Sequence, residues 1–315
     1  MKQWTAFLMI ITLLVCCAAE AFGASSVSLC GDEEITLLCG ERYVEEGCLA
    51  FDTDGSDISD RVEISGEVCI WRPEDYELTY SVTDSDEVPL SCARKVKVIA
   101  NTLPETAAAE KTIYLTYDDG PGKYTDELLD LLATYDAKAT FFLIGKQVEK
   151  YPEELERILS AGHSIGVHCY RHDYEYIYSS EDRFAEDVLK TRELIFDKSG
   201  YRPDILRFAG GSSTAAAYSA NKVDGGFETL TEILDNLGMR YFDWDISADP
   251  KDDGIEHSVR RVIKTAEKTE CPIVIQHDSR STCLKATQKI LEWGSENGYT
   301  FEAIDLTVPE VHALG

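Results

Sequence analysis

Two adjacent carboxylates, Asp118 and Asp119, stand where a short apolar run gives way to a Gly-Pro turn. In open α/β sheets and barrels, ligands bind where strands end and loops begin. Consecutive side chains at such a point face different directions, so one carboxylate could bind a metal ion while the other accepts a proton. Asp-Asp-Gly-Pro is also common turn chemistry, and on its own the pair fits either role.

Two histidines four residues apart, His168 and His172, follow the apolar run 164–167. With Asp119 they would make a set of two imidazoles and one carboxylate, which leaves positions open for water as a catalytic zinc site requires. A surface pair of histidines without any ligand is the alternative. No Cys-x-x-Cys spacing occurs, which argues against a zinc site built from thiolates. We interpret the nearby His163 as a structural residue.

From residue 111 onward, strand-like and helix-like patterns alternate, which is typical of a parallel sheet covered by helices. The predicted strands are 112–117, 139–144, 164–167, 205–208, 240–244, 272–276 and 299–304. The predicted helices are 124–135, 152–161, 181–199, 229–237, 258–268 and 284–296, and Gly200 should end the third. Seven strands that alternate with six helices favour an incomplete (β/α)7-type barrel over a flat sheet, in a domain of residues 111–308. The carboxylates and histidines then lie at the ends of different strands.

Residues 28–100 contain five short strand-like runs separated by turns, without a sustained helical period, which predicts a small all-β sandwich. Residues 47–52, 54–58 and 80–84 resemble the immunoglobulin-like domains of bacterial surface proteins. Asp52, Asp54 and Asp57 could bind calcium or could form a solvated acidic turn. The polar, small residues 101–110 predict a linker.

Residues 1–24 have the features of a secretory signal peptide: Lys2, an apolar core over 7–19 and small residues before a cleavage point. No other stretch is apolar and long enough to cross a membrane, so we expect the mature chain to be secreted or at the cell surface, without an integral span. The net charge of the 315 residues is −28, with no run of Lys or Arg. Nucleic-acid grooves need clustered basic residues, so we expect no nucleic-acid partner.

Four stretches are similar to motifs of the polysaccharide deacetylase family, which is also called the NodB-homology family. They are residues 116–121 (TYDDGP), 162–172 (GHSIGVHCYRH), 207–212 (RFAGGS) and 275–278 (IQHD). Because four motifs match in the family's order over residues 111–304, the resemblance is far more specific than any single motif. It implies the incomplete α/β barrel of that family and a metal-dependent deacetylase activity.

The resemblance also implies a role for each matching residue. Asp119, His168 and His172 correspond to metal ligands, Asp118 to a general base and His277 to a general acid. The ion would be divalent, with zinc as the first choice and cobalt or another divalent ion as alternatives.

Supporting roles are expected for three further residues. Arg207 would keep Asp118 ionised by charge pairing. The family's fourth motif has no clean counterpart, and we expect Asp249 to pair with Arg207 in the catalytic set while Trp244 packs against His277.

The expected substrate contacts are Tyr117, Trp244 and the backbone N–H of Gly210, which would bind the oxyanion. Ala209 stands where the family has proline and Gly210 where it has tyrosine, a change that removes an aromatic wall and should open the groove. Four tyrosines beside the histidines could stack on sugar rings or could pack internally. They occupy positions 170, 174, 176 and 178.

The expected function is removal of N-acetyl groups from an extracellular glycan by a metal-dependent hydrolase. The partner would be a cell-wall or other acetylated polysaccharide, and N-acetylglucosamine of peptidoglycan is the first candidate. Chitin oligomers and acetylated xylan are alternatives within the same chemistry. A catalytically inactive glycan-binding surface protein is an alternative of another class. The presence of all five matching ligand, base and acid residues favours an enzyme.

Overall fold

The computed structural model describes residues 24–107, 110–250, 254–269, 271–278 and 281–313. The expected signal peptide, residues 1–24, lies outside these residues apart from its last position. None of the helices in the described ranges combines the length and the apolar character needed to span a bilayer. The described chain divides into two compact units. The smaller consists of residues 24–35, Val44–Val68 and Tyr76–Val96, and the larger consists of the remaining described residues.

The N-terminal strands form two antiparallel sheets with a short 3-10 helix at Ser59–Arg61. The strands are β1 (Ser26–Leu29), β2 (Glu34–Leu38), β3 (Cys48–Phe51), β4 (Glu63–Ser65), β5 (Asp75–Thr83) and β6 (Pro89–Ile99). One sheet pairs β1 with β3 and the other has the order β2-β6-β5-β4. Along β5, Leu78, Tyr80 and Val82 are buried in alternation, as expected of a half-buried strand. The all-β prediction for this region is confirmed.

The larger unit is built on a parallel sheet with β7 at its centre. Its strands are β7 (Thr112–Gly120), β8 (Ala139–Ile144), β9 (Ser164–Cys169), β10 (Ile205–Leu206), β11 (Arg240–Tyr241), β12 (Ile246–Ser247), β13 (Ile273–His277) and β14 (Thr300–Phe301). The order is β11-β10-β9-β8-β7-β13-β12, and β14 pairs with the first residues of β7. The pairings are parallel, so the carboxyl ends of the strands share one edge. The predicted incomplete barrel is confirmed.

Within the described residues, nine α-helices cover this sheet. They are α1 (Thr125–Thr134), α2 (Gly145–Lys150), α3 (Pro152–Ser160), α4 (Tyr174–Ile177), α5 (Glu181–Ser199), α6 (Ser212–Ser219), α7 (Phe227–Asn236), α8 (Ile255–Ala266) and α9 (Ser281–Glu296). Helix α5 has the predicted bounds: the Ser180 side chain accepts a hydrogen bond from the N–H of Arg183, and Gly200 ends the helix at φ 72°. Helices α2 and α4 were not predicted, because each is too short for a hydrophobic period, and α6 was not predicted, because its Ser, Thr and Ala residues form no apolar face.

The core of the larger unit lies between the sheet and its helices. Every residue of β8 is buried, as is usual for a strand inside a parallel sheet. His163 is part of this interior: its Nδ1 accepts a hydrogen bond from the N–H of Ala139 at 3.2 Å, and burial lowers its pKa to about 4. Its interpretation as a structural histidine is confirmed.

Candidate active site

A bulge at the end of β7 presents Asp118 and Asp119. The register between β7 and β8 shifts between Asp118 and Gly120, and Asp119 has φ 71°, in the left-handed region that non-glycine residues rarely adopt. Asp118 is 2 % exposed, whereas the side chain of Asp119 is 33 % exposed. In a regular strand, consecutive side chains point to opposite faces. Because the backbone is irregular here, both carboxylates instead lie at the same edge of the sheet.

Asp119 meets both predicted histidine ligands. Its Oδ1 lies 3.5 Å from Nε2 of His168 and 3.7 Å from Nε2 of His172. One potential ligand atom from each residue lies within 4.8 Å of the other two. His168 reaches the site from the end of β9, and His172 from the loop that follows it. The structure thus brings together the three residues that the motifs assign to a metal.

Two observations test whether these residues fit a metal ion. Asp119 Oδ1 is buried without a hydrogen-bond partner among the described residues, which leaves an anionic oxygen uncompensated. His168 Nδ1 bonds the carbonyl oxygen of Arg207 at 2.8 Å, so this nitrogen donates and Nε2 is left free to coordinate. Two imidazole nitrogens and a carboxylate oxygen are suitable ligands for zinc and similar divalent ions. The residues fit such an ion.

The candidate base, Asp118, is held by Arg207. Arg207 Nη1 donates to Asp118 Oδ1 at 2.9 Å, and the whole arginine is buried. Burial lowers the pKa of this guanidinium, although the charge of Asp118 opposes the change. Its other donors bond the carbonyl oxygens of Phe242 and Asp243 and the hydroxyl of Thr116. A buried charge with this many partners is fixed in place, and it holds the Asp118 carboxylate in one position.

The candidate acid, His277, stands on the other side of β7. In the sheet it is the register partner of Asp118, and its Nε2 lies 3.9 Å from Oδ2 of Asp119. Its Nδ1 bonds Asp249 Oδ2 at 2.6 Å, and this bond raises the pKa of His277 to about 9. Burial raises the pKa of Asp249, but the bond and charge of His277 outweigh it, so the pKa of Asp249 falls below its ordinary value. His277 is therefore an imidazolium at neutral pH.

The expected partners of Asp249 and Trp244 were wrong. Asp249 follows β12, the neighbour of β13, and so it reaches His277 instead of Arg207. Trp244 follows β11 at the opposite end of the sheet, where its ring lies 5.6 Å from Cζ of Arg207. The sheet order, which the sequence does not reveal, decides both pairings.

The proposed substrate contact through the Tyr117 side chain is also wrong. Tyr117 is 1 % exposed, its ring stacks on Phe141 at 5.3 Å, and its hydroxyl pairs with Thr287 Oγ1 at 3.1 Å. It lies before the bulge and points into the core. Gly210, by contrast, is exposed in the loop after β10, with φ 78°.

The four tyrosines beside the histidines have different surroundings. Tyr178 is buried and donates its hydroxyl to the carbonyl oxygen of Ala209 at 2.9 Å. Tyr176 lies between the guanidinium groups of two arginines, and Tyr170 donates its hydroxyl to a glutamate and lies beneath a lysine ammonium. Tyr174 has its ring 4.9 Å from the ring of His172. Of the four, Tyr174 borders the metal ligands.

Sequence reasoning missed Asp278 as a site-supporting residue. Its Oδ2 accepts from the hydroxyl of Thr125 at 2.5 Å, and burial raises its pKa to about 6. A Cβ on Gly120 would lie 2.6 Å from the same oxygen, so the turn after the two aspartates needs a glycine there. The available signal was its position directly after His277.

Sequence reasoning also missed Asp187, a carboxylate on the buried face of α5. It accepts the N–H of Tyr170 at 2.8 Å, and burial raises its pKa to about 6. This bond anchors the chain between His168 and His172. A charged residue within the apolar face of a helix was the signal that could have identified it.

Comparison with known proteins agrees with both parts of the chain. A family model for polysaccharide deacetylase matches residues 105–225, and one for the Ig-like domain of bacterial surface proteins matches residues 27–98. A peptidoglycan-N-acetylglucosamine deacetylase of Bacillus cereus is 35% identical over 195 residues, which is 61% of this chain and 69% of that protein.

Solved structures show the same likeness. The catalytic domain of a peptidoglycan N-acetylglucosamine deacetylase from Eubacterium rectale has a TM-score of 0.61 and 34% identity, covering 66% of this chain and 96% of that one. A polysaccharide deacetylase from Bacillus cereus has a TM-score of 0.53 and 30% identity, covering 62% of this chain and 92% of that one.

Proposed function

Because this chain belongs to the polysaccharide deacetylase family, we propose that it removes N-acetyl groups from N-acetylglucosamine residues of peptidoglycan. One observation carries the proposal: a three-residue cluster of metal-binding type lies between a buried Asp–Arg pair and a hydrogen-bonded His–Asp pair. Relatives with peptidoglycan-N-acetylglucosamine deacetylase in their names support the choice of substrate. The products are acetate and a free amine.

We assign the metal to Asp119, His168 and His172, with zinc as the expected ion. Bound there, a divalent ion would polarise the acetamide carbonyl and lower the pKa of a coordinated water. The uncompensated oxygen of Asp119 and the free Nε2 of His168 support this assignment.

Asp118 would act as the general base. As water adds to the acetamide carbon, Asp118 takes the proton that the water loses. Arg207 holds the carboxylate in position through a hydrogen bond of 2.9 Å. The N–H of Gly210 would donate to the oxygen that becomes negative, and Trp244 would line the groove beside Arg207.

His277 would act as the general acid. The amine nitrogen must gain a proton before its bond to carbon breaks, because otherwise the tetrahedral species expels the added water again. The hydrogen bond that His277 Nδ1 donates to Asp249 raises the pKa of His277 to about 9, and it supports this role because the imidazole then carries a proton at neutral pH. Asp249 would act through His277 as a positioning residue.

We further propose that residues 1–24 direct export, that residues 28–100 are an immunoglobulin-like domain and that residues 111–308 are the catalytic domain. The signal-like pattern of the first and the match of the second to a surface-protein domain support an extracellular or cell-surface location.

The test is acetate release from peptidoglycan, chitin oligomers and acetylated xylan with zinc added. We expect peptidoglycan to be the best substrate, and we expect Asp118→Asn and His277→Ala each to lower the rate by about 10² to 10⁴, or about 3 to 5 kcal/mol of barrier. The exposed His257→Ala should behave as wild type. Near-normal rates in both site variants would refute the assigned roles.

Metal content separates the enzyme from an inactive glycan-binding protein. We expect the purified chain to take up about one zinc ion per molecule and Asp119→Ala to take up far less. A chain that cannot bind a divalent ion would favour the binding protein.

A further inference from the structure

A side chain at residue 210 would be strained in this fold. Gly210 and Gly211 have φ 78° and φ 82°, a region that side chains rarely adopt. A Cβ on residue 210 would lie 2.9 Å from the hydroxyl oxygen of Tyr174 and 3.0 Å from Thr214. Tyr174, on α4, therefore occupies the space next to residue 210.

Tyr174 stands between the metal ligands and a second aromatic residue. Its ring lies 4.9 Å from His172 and meets the ring of Tyr218, on α6, edge to face at 5.5 Å. Both tyrosines are partly exposed. We call this pair of rings the Tyr174–Tyr218 ledge.

The ledge is held by bonds that do not involve the metal ligands. The Asp173 carboxylate caps α4 by accepting the N–H of Tyr176 at 3.2 Å. The ammonium of Lys222 lies 5.3 Å from the ring of Tyr218 and pairs with Glu175 of α4. These contacts join α4 to the chain that follows α6, on the same side as the two rings.

We propose that the Tyr174–Tyr218 ledge is a glycan subsite that stacks on a sugar ring next to the one being deacetylated. This inference rests on the proposed function. Tyr174 also packs on the buried ring of Tyr178 at 6.4 Å, which supports it from within the fold. Partly exposed aromatic rings suit the apolar C–H face of a pyranose, and they lose little conformational entropy on binding. The ledge borders His172. A sugar that stacks on it would therefore be part of the same glycan molecule as the acetamide at the metal site. The ligand class is an oligomer of N-acetylhexosamine, and the ledge favours oligomers over the monomer.

The test measures binding apart from turnover. Zinc-loaded Asp118→Asn protein, with or without a second change, is titrated calorimetrically with the tetramer and the monomer of N-acetylglucosamine. We expect Tyr174→Ala and Tyr218→Ala each to weaken tetramer binding about tenfold. Tyr174→Phe should bind as the parent does, because it keeps the ring, and monomer affinity should change less than twofold. The matched control is Tyr176→Ala, on the same helix but stacked between Arg171 and Arg183.

Three outcomes would overturn the proposal. Unchanged tetramer affinity in both alanine variants would show that the ledge does not bind glycan. An equal loss for monomer and tetramer, or loss of zinc from Tyr174→Ala, would show that Tyr174 only supports His172. Tyr218→Ala separates glycan binding from support of His172, because the described ring–ring contact of Tyr218 is with Tyr174 and not with His172. If the wild-type chain releases no acetate while tetramer affinity still depends on both tyrosines, the proposed reaction fails and the subsite stands.

Discussion

At the scale of single residues, the proposed catalytic roles depend on two partner side chains, of which Arg207 is buried and Asp249 is partly buried. We propose Asp118 as the base because Arg207 holds it, and His277 as the acid because Asp249 faces its other nitrogen. The chemistry of a residue type is visible in a sequence, but the partner that sets its protonation state is not. The motifs led to the candidate metal ligands, base and acid that the structure brings together, whereas the partner of Asp249 was assigned wrongly.

Replacing Asp249 by Asn should reduce catalysis without removing the metal. The neutral amide no longer favours the imidazolium of His277, so the acid step loses its proton donor at neutral pH. We expect kcat to fall about 10²-fold with KM and zinc content near their wild-type values. Steady-state acetate release and elemental analysis measure these quantities. If KM rises and kcat is unchanged, Asp249 serves substrate binding instead.

At the scale of elements, prediction succeeded where the apolar pattern was long or complete. Helix α5 and strand β8 have the predicted bounds, because nineteen residues with a clear cap and an uninterrupted apolar strand leave little choice. Helix α6 was missed since its run of Ser, Thr and Ala has no apolar face to reveal a period. Strand β7 extends three residues beyond the prediction, into the bulge that turns both aspartates to the site.

The buried His163 should make stability depend on pH. Its pKa is about 4 in the folded chain, against 6.5 for an unperturbed histidine side chain, so the unfolded chain binds more protons between these values. The stabilisation is complete above pH 6.5 and is lost as pH falls towards 4, by up to on the order of 3 kcal/mol. Lys138 is the charged group that faces this ring. We expect the stability difference between wild type and His163→Gln to shrink over that range in urea denaturation.

The comparison with His163→Gln is necessary because other groups titrate in the same window. The pKa values of Asp187 and Asp278 are raised to about 6, so their contributions change with pH in the opposite direction. Subtracting the two curves removes these terms. A pH-independent difference would mean that His163 is not buried as a neutral ring.

Gly200 offers a test of how α5 ends. It has φ 72° and no atom within 4 Å of an added Cβ, so Gly200→Ala introduces backbone strain without a steric clash. We expect a loss of about 1 kcal/mol in the free energy of unfolding and unchanged activity. The exposed Lys198→Ala in the same turn should change stability by less than about 0.5 kcal/mol. Equal effects of the two substitutions on stability would contradict a left-handed conformation of residue 200 at the end of α5.

At the scale of the whole molecule, the class of each region was predictable and the order of the strands was not. A period of two residues, followed by alternating strand and helix patterns, indicates an all-β region and then a parallel α/β region. The pattern does not say which strands are neighbours. The placement of β7 between β8 and β13 is what lets His168 and His172 approach from one side and His277 from the other.

Zinc should stabilise the larger unit selectively. A ligand that binds only the folded form at about 100 times its dissociation constant adds about 2.7 kcal/mol, so amide exchange limited by unfolding should slow about 100-fold. Hydrogen exchange measured by mass spectrometry should show this slowing in β7 and β9, with β5 and the first half of β6 unaffected. Asp119→Ala should abolish the difference. Equal slowing in both units would point to nonspecific binding by the acidic surface.

The conformation of Asp119 has a consequence for how this protein can change. Its left-handed backbone and its unmatched buried oxygen both disfavour the folded chain when no cation is bound. If variants were selected for folding stability alone, in the presence of a chelator, substitutions of Asp119 would therefore be selected early. Folding stability and the proposed hydrolysis therefore favour different residues at this position, and binding of the ion would remove this conflict.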